Sequence, residues 1–392
     1  MWKLPNETDA NLAATDLWTF GLSSAQYVLG LGGLNATYLI EVFLSSAGPD
    51  PIVPGIAPNG TLWTGGGSGA TTPGYIDAPA DAFVRKARED GTYVQWNFHD
   101  QDPTVNAASD ACIVFINALA SEGWDRPNIE DQYSDTLVEN VASKCPNTHV
   151  VIHNAGVRLV SRWADNPNIT SIIYAHLPGQ DSGQALVDIM YGAVSPSGRL
   201  PYTVGKQQSD YGHLLEPDLP DEGTLWYPQS NFTEGVYIDY KHFIAQNITP
   251  QYAFGYGLTY STFKYSDIQV EMAGMVSAPQ YMNATGAEGG DPELWQPLAT
   301  VTCTITNTGE VEAAEVAQLY VHIPGGPQKQ LRGYSKDLLA PGASCTATFE
   351  LNKRDLSTWD VVSQSWVLQS GEYEMYVGKS VLDIQLQSSL GL

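Results

Sequence analysis

The sequence predicts two domains of different class: an α/β domain with a parallel sheet, followed by an all-β sandwich. Between about residues 77 and 204, apolar runs of strand length alternate with amphipathic stretches of helix length, as in repeated βα units. From about residue 264 onward, apolar residues recur at every second position, which is typical of antiparallel strands with one buried face. The 392 residues suffice for two or three such domains.

The first of these domains reads as an ordered series of helices and strands. We predict helices at 77–90, 134–145, 157–164 and 181–191. We predict strands at 93–98, 111–119, 149–154 and 171–177, with a last strand in the run 196–204. Strands of this kind form a parallel sheet with helices on both sides. Residues 1–40 give no clear pattern, and Gly65–Gly69 reads as a flexible loop without the Gly-Lys-Ser/Thr of a phosphate site.

The remaining chain divides into an irregular segment and the β-rich domain. Short alternating strands with turns between them, such as the one that ends in Asn307-Thr308-Gly309, predict a sandwich of immunoglobulin or fibronectin kind. The long aromatic segment before them is interpreted as a connection that wraps the two domains together. The predicted division is therefore 1–44 unassigned, 45–204 α/β domain, 205–263 interdomain linker and 264–392 β-sandwich.

Composition excludes some classes of partner. The chain has 43 acidic and 18 basic residues and a net charge of −25. That charge opposes binding to nucleic acid and to anionic membrane surfaces, whereas a neutral substrate is not repelled. No segment of the sequence is long and apolar enough to qualify as transmembrane. We therefore expect neither nucleic acid nor a membrane as a partner.

Sequons indicate a secreted glycoprotein. The chain has more Asn-x-Ser/Thr sites than chance would give, at Asn6, Asn35, Asn59, Asn168, Asn231, Asn247 and Asn283, and such sites accept glycans in secreted proteins. The N-terminus nevertheless lacks a basic region running into an apolar one, so it does not read as a signal peptide. We therefore expect an extracellular protein of which this is the later part, or a faulty gene model.

The four cysteines leave two readings open. Cys303 and Cys345 fall on the apolar face of two later strands, where either a disulfide bond or two buried free thiols would fit a secreted sandwich. Cys112 lies in the buried strand at 111–119, and Cys145 precedes Pro146. No Cys/His cluster has the spacing of metal ligands, so the sequence implies neither a metal nor an organic cofactor.

The best indication of a functional site is the loop after the strand at 111–119. This almost wholly apolar strand is followed by Ser121, Glu122, Gly123, Trp124 and Asp125. Ligands of open α/β sheets bind just beyond the carboxyl ends of the strands. A carboxyl group beside a flat aromatic ring suits a sugar, although a Glu in a polar loop is more often a solvated charge. Carbohydrate hydrolysis requires two carboxyl groups, of which this loop can supply one.

Several separated runs resemble the C-terminal half of a fungal family-3 glycoside hydrolase of the β-glucosidase group. The matching runs include SDACIVFINALASEGWDRPN, VVIHNAGVRLVSRW, LPGQDSGQALVDIMYGAVSPSGRLPYTV, EGVYIDYKHF, ITPQYAFGYGLTYSTF and QLRGYSKDLLAPG, in the family's order and over roughly residues 45–392. The resemblance implies an (α/β)6-type sandwich domain followed by a fibronectin type III-like domain. In the family, a TIM-type barrel precedes them.

The resemblance also assigns roles in the predicted loop. The family's acid/base glutamate matches Glu122, and Trp124 takes the place of an aromatic that flanks the aglycone. Near-apolar walls such as Trp124 would raise the pKa of Glu122 and keep it protonated. Asp125 and Arg126 are expected to support the loop through an ion pair.

One departure leaves two hypotheses open. The family's nucleophile is the Asp of a Ser-Asp-Trp motif in the barrel, and this sequence contains no Ser-Asp-Trp. The first hypothesis is a retaining hydrolase of terminal β-D-glucosyl residues, in which this chain carries the acid/base half and a barrel comes from a missing segment or a second chain. The alternative is an inactive remnant that binds glycan or acts as a scaffold.

Overall fold

The computed structural model describes residues 25–33, 36–47, 61–97, 100–123, 126–215, 223, 227, 229–283, 288 and 290–392. The chain divides into two compact units, one up to Ala193 and the other from Val194 to Leu392. The first is α/β and the second is mostly β, which agrees with the predicted order of fold classes. The predicted domain boundaries remain predictions.

The first unit is built on a six-stranded sheet. Its strands are β1 (Ala25–Gly33), β2 (Ala36–Ala47), β3 (Thr92–Asn97), β4 (Ala111–Ala118), β5 (Thr148–Asn154) and β6 (Ile169–Tyr174). The order is β1-β3-β2-β4-β5-β6. Strands β4, β5 and β6 run parallel, as predicted. Strand β2, which was not predicted, runs parallel to β4, and β1 pairs antiparallel with both β2 and β3. Strand β1 and the start of β2 fall in residues 1–40, where no clear pattern was found.

Within the described part of this unit, the sheet is covered by the helices α1 (Pro79–Asp90), α2 (Gln132–Ala142) and α3 (Ser182–Met190). Helix α1 ends at Gly91, which has the left-handed φ of 70° that glycine adopts without strain. The Asp131 side chain caps α2 by accepting from the backbone N–H groups of its first turn. The observed bounds lie within about three residues of the predicted ones.

The helices lie on both faces of the sheet, as predicted. Ile113 and Phe115 of β4 pack in one core cluster with buried residues of α1 and α3. The neighbouring β4 residue Cys112 forms a disulfide bond with Cys145, just after α2. Because successive strand residues point to opposite faces, α2 covers the other face. The sequence did not predict this disulfide, since the two cysteines are 33 residues apart and nothing local pairs them.

Two predicted elements are wrong. Residues 157–160 are irregular and 161–164 are turns, rather than a helix, because Arg158 and Trp163 point into the core. Both side chains are almost wholly buried and bind Oδ1 of Asp135, at 2.6 Å from Arg158 and 2.7 Å from Trp163 Nε1. Residues 196–204 form no strand. Val204 makes an isolated bridge with Tyr252 and Leu200 bonds to the backbone of residues 255 and 256, but Pro196 and Pro201 have no N–H to donate to a continuous ladder.

The second unit begins with irregular chain and a short helix, α4 (Tyr240–Ala245), before its strands. The strands are β7 (Phe263–Met272), β8 (Gln280–Asn283), β9 (Pro297–Asn307), β10 (Ala313–His322), β11 (Gln330–Leu339), β12 (Ser344–Asn352), β13 (Ser357–Asp360), β14 (Ser365–Leu368), β15 (Glu372–Gly378) and β16 (Ile384–Gly391). They form antiparallel sheets in the orders β11-β10-β15-β16, β12-β9-β7 and β13-β14-β8.

A large apolar core lies within this second unit. Strands β9 and β12 alternate buried and more exposed residues along their length, as the period of two predicts. Cys303 and Cys345 are free thiols in these two strands. Cys303 lies opposite Ala347 and Cys345 opposite Ile305, so the free-thiol reading is the one that the structure supports.

Candidate active site

The loop after β4 brings the predicted carboxyl group to the surface. All eight residues of β4 are buried, and the burial continues through Leu119. Glu122 is exposed. The structure thus places Glu122 just beyond the carboxyl end of a central parallel strand, where open α/β sheets bind ligands. Its catalytic role stays a prediction.

A glycine-rich segment from far back in the chain packs against this loop. The backbone N–H of Gly66 donates to the carbonyl of Ala120 at 3.0 Å, and the N–H of Glu122 donates to the carbonyl of Gly66 at 3.4 Å. Gly66 and Ser121 thus form an isolated parallel bridge, and Gly67–Gly69 forms one turn of 3₁₀ helix. The prediction of a flexible loop is wrong here, because the segment is bonded to the residues around Glu122.

This close approach explains why the segment is made of glycine. A Cβ on Gly66 would lie 2.4 Å from Ser121 Oγ, and a Cβ on Gly67 would lie 2.2 Å from the Cβ of Glu122. Gly67 also has a φ of +84°, a conformation that L side chains rarely adopt. A larger residue at either position would therefore push the two segments apart.

The Gly-rich segment presents Ser68 to the carboxyl group of Glu122. The backbone N–H of Ser68 donates to Glu122 Oε2 at 2.6 Å, and the Ser68 hydroxyl makes a second, short hydrogen bond to the same oxygen. Donors to a carboxylate favour its charged form. The Ser68 hydroxyl first, and then its N–H, hold the pKa of Glu122 below its usual range, against a small opposing effect of desolvation.

The direction of this shift corrects the expectation that the pKa of Glu122 is raised. The expectation depended on apolar walls such as Trp124, which lies outside the described residues together with Asp125. In the described part of the site, hydrogen-bond donors outweigh desolvation. The expected ion pair of Asp125 with Arg126 is also outside what the structure describes. Arg126 donates to the backbone carbonyls of Ala155, at 3.3 Å, and Val157, so it ties the β4 loop to the loop after β5.

Two buried polar side chains that sequence analysis did not single out lie on the neighbouring strands β4 and β5. Asn117 of β4 and His153 of β5 are register partners and each is 1% exposed. Neither amide atom of Asn117 nor Nδ1 of His153 has a hydrogen-bond partner in the described part of the chain. Burial lowers the pKa of His153 to about 3, so this imidazole is neutral at physiological pH.

Two clefts in the described part of the chain are not lined by Glu122, and that part contains no cluster of metal ligands. A cleft of about 460 Å³ is lined by residues that include Glu130, Leu159 and Arg162, and one of about 210 Å³ by residues that include Tyr237 and Lys241. Glu122 lines neither of them. Over the ranges that the structure describes, no group of three or more His, Cys, Asp or Glu side chains could hold a metal ion.

The predicted glycan acceptors differ in exposure. Asn231, Asn247 and Asn283 are exposed. Asn168 is half-buried, and its Nδ2 donates to the carbonyl of Ala142 at 2.8 Å. Asn6, Asn35 and Asn59 lie outside the described residues. Among the helices that are described, none has the length and apolar character needed to cross a membrane.

The fold agrees with what the family comparison finds. Residues 44–260 match the glycosyl hydrolase family 3 C-terminal domain, and residues 315–381 match the fibronectin type III-like domain. Because the first match covers more than half of the chain, the chain belongs to glycosyl hydrolase family 3. This confirms the resemblance and the two fold classes.

Individual relatives are fungal β-glucosidases. The chain is 54% identical over 334 residues to a protein named probable beta-glucosidase M from Aspergillus niger, covering 85% of this chain and 44% of that one. It is similar to the crystal structure of beta-D-glucoside glucohydrolase from Trichoderma reesei, with 40% identity, a TM-score of 0.74 and coverage of 84% and 47%. It is also similar to a family 3 β-glucosidase from Neurospora crassa, with 30% identity, a TM-score of 0.77 and coverage of 99% and 57%. The chain thus spans about half the length of these relatives.

Proposed function

We propose that this chain carries the acid/base half of a retaining β-glucosidase, with Glu122 as the proton donor and later the base. The observation that supports this most directly is the position of Glu122, exposed in an ordered loop at the end of the buried strand β4. The names of the relatives, beta-glucosidase and beta-D-glucoside glucohydrolase, support the substrate class, terminal β-D-glucosyl residues. No cofactor enters this chemistry.

The proposed reaction has two steps. In the first, Glu122 gives its proton to the glycosidic oxygen while a carboxylate attacks the anomeric carbon and the aglycone leaves. In the second, Glu122 takes a proton from water, whose oxygen displaces that carboxylate and releases glucose. Retaining enzymes hold the two carboxyl groups about 5–5.5 Å apart. We propose that the attacking carboxylate comes from a barrel domain outside this sequence, and that Trp124 flanks the aglycone.

The leaving group of the substrate tests the role of Glu122. The chain is joined to, or mixed with, a segment that carries the barrel, and wild type is compared with Glu122→Gln. An alkyl glucoside needs a proton on its leaving oxygen, so kcat/KM of the variant for this substrate should be lower by about 10²–10⁴-fold. A dinitrophenyl glucoside leaves as a stable anion, so its first step should be nearly unaffected. Equal losses on both substrates would contradict the role of proton donor.

A second candidate function is that of a glycan-binding or scaffold module without catalysis. The observation that favours it is the absence of Ser-Asp-Trp from the sequence, because one carboxyl group cannot form the glycosyl-enzyme intermediate. Titration of the isolated chain with cello-oligosaccharides distinguishes the two. Binding without turnover, even after the barrel segment is added, would favour this candidate.

We also propose that the protein is secreted and glycosylated. Asn231, Asn247 and Asn283 are exposed and accessible to the transferase, whereas the Asn168 amide is engaged with Ala142. Peptide mapping after enzymatic deglycosylation should find glycans on the first three and a lower occupancy at Asn168. Full occupancy at Asn168 together with none at the other three would contradict this.

A further inference from the structure

The contact between Ser68 and Glu122 treats the two carboxyl oxygens differently. Both hydrogen bonds that Ser68 donates, one from its N–H and one from its hydroxyl, go to Oε2. Ser68 therefore leaves Oε1 unheld. A carboxylate fixed through one oxygen has a defined orientation for the other.

The two donors of Ser68 have different chemical capacities. A hydroxyl can donate to a carboxylate or, after rotation, accept from a carboxylic acid, whereas a backbone N–H can only donate. A proton placed on Oε2 would turn the acceptor of the Ser68 N–H, at 2.6 Å, into a hydroxyl oxygen, which is a much weaker acceptor than a carboxylate or carbonyl oxygen. A proton placed on Oε1 leaves both hydrogen bonds to Oε2 in place.

We propose that Ser68 is a positioning residue for Glu122, which holds Oε2 and thereby makes Oε1 the oxygen that carries the proton to and from the substrate. The second part of this proposal rests on the proposed function of Glu122, whereas the hold itself does not. The Gly66-Gly67 pair is the structural requirement, because it alone lets the backbone of Ser68 come within hydrogen-bond distance.

The electrostatic surroundings of Glu122 isolate this effect. Among the described residues, no charged or titratable side chain contributes to the shift in the pKa of Glu122, which comes from Ser68 and from desolvation. The Ser68 hydroxyl is the larger of the two contributions that lower this pKa. Removing the hydroxyl must therefore raise the pKa of Glu122, since the charged form loses a donor and the N–H remains.

The test is an NMR titration of the whole chain labelled with ¹³Cδ-glutamate, in which Glu122→Gln identifies the resonance. Ser68→Ala should move the titration midpoint of Glu122 to higher pH, and Ser68→Thr, which keeps the hydroxyl, should leave it near that of wild type. Ser68 is exposed, so folding should be unaffected; a backbone NMR spectrum checks this.

Ser363→Ala is a matched control. The hydroxyl and N–H of Ser363 donate to Oδ2 of Asp360, an exposed carboxylate whose pKa is lowered in the same way. Removing that hydroxyl should leave the midpoint of Glu122 unchanged. An unchanged midpoint in Ser68→Ala, in a chain that remains folded, would overturn the proposal.

The pH dependence of turnover separates this proposal from the proposed function. In the barrel-containing enzyme, loss of the protonated acid sets the alkaline limb of kcat/KM, so Ser68→Ala should move that limb to higher pH. If the NMR midpoint shifts but turnover does not depend on Glu122, the proposed function is wrong, whereas the role of Ser68 in holding Oε2 stands. If the midpoint does not shift but turnover depends on Glu122, the role of Ser68 is wrong, whereas the proposed function stands.

Discussion

Asp135 binds the guanidinium of Arg158 at 2.6 Å, and both side chains are almost completely removed from solvent, at 6% and 2% exposure. The pair joins α2 to the chain after β5, and the indole N–H of Trp163 shares the same carboxyl oxygen. A buried ion pair of this kind adds little net stability compared with apolar residues, but breaking it leaves an uncompensated charge in the core.

We therefore expect Asp135→Ala to destabilise the first unit by about 3–5 kcal/mol. Urea unfolding followed by the fluorescence of buried tryptophan would measure this. The matched control is Glu139→Ala, because Glu139 pairs with Arg162 in the same region but both side chains are about 40% exposed, and such pairs contribute about 0–1 kcal/mol. Similar losses in the two variants would contradict the reading of the Asp135 pair.

His153 should make the first unit sensitive to acid. Burial lowers its pKa from 6.5 to about 3, so between these values the unfolded chain binds a proton that the folded chain does not. The contribution of neutral His153 to the free energy of unfolding is then fully present above pH 6.5. It is lost as the pH drops, by at most about 1.4 kcal/mol per pH unit. His153→Gln should flatten this slope in urea unfolding measured from pH 7 to 4. An equal slope in both proteins would refute the assignment.

The disulfide bond between Cys112 and Cys145 should stabilise the first unit, as urea unfolding of a variant without it would measure. The Cys112–Cys145 bond closes a loop of 33 residues, so Cys145→Ser should lower the free energy of unfolding by about 3–4 kcal/mol.

The free thiols should stay unreactive in the folded chain, since only a thiolate is a nucleophile. Burial raises the pKa of Cys303 and of Cys345 to about 11. Iodoacetamide at pH 7.5 should label both thiols only after denaturation, as measured by mass spectrometry. Rapid labelling of Cys303 in native protein would contradict the structure.

The Gly-rich segment Gly65–Gly69 should tolerate alanine at Gly69 but not at Gly67. Gly67→Ala places a methyl group against Glu122 in a left-handed conformation, which costs about 1–2 kcal/mol before the clash is counted. At Gly69 nothing lies within 4 Å of an added Cβ, so Gly69→Ala should change stability by less than about 0.5 kcal/mol. Thermal unfolding of the two variants measures the difference, and equal effects would contradict the close approach.

Sequence reasoning found what depends on local pattern. The almost wholly apolar run of β4 and the abrupt change to polar residues at Ser121 were enough to place Glu122 beyond a buried strand. The alternation in β9 and β12 was enough to predict the second fold class. In each case burial follows directly from the spacing of apolar residues.

What sequence reasoning missed depends on partners far apart in the chain. Ser68 reaches Glu122 across 54 positions, so the run Gly65–Gly69 read as a loop without a partner. Arg158 and Trp163 fitted a helical pattern, but their common bond to Asp135, more than twenty positions earlier, turned the chain inward. A pattern in a short window carries no information about such contacts.

The contact of Gly67 with Glu122 also limits how this protein can evolve. Any side chain at position 67 meets the Cβ of residue 122, so selection that preserves the glutamate also preserves the glycine. Drift at position 67 becomes permissible only after the loop after β4 has changed. Because every residue except glycine carries a Cβ, this constraint does not depend on the carboxyl group: position 67 should remain glycine through replacements of Glu122, until the loop itself shifts.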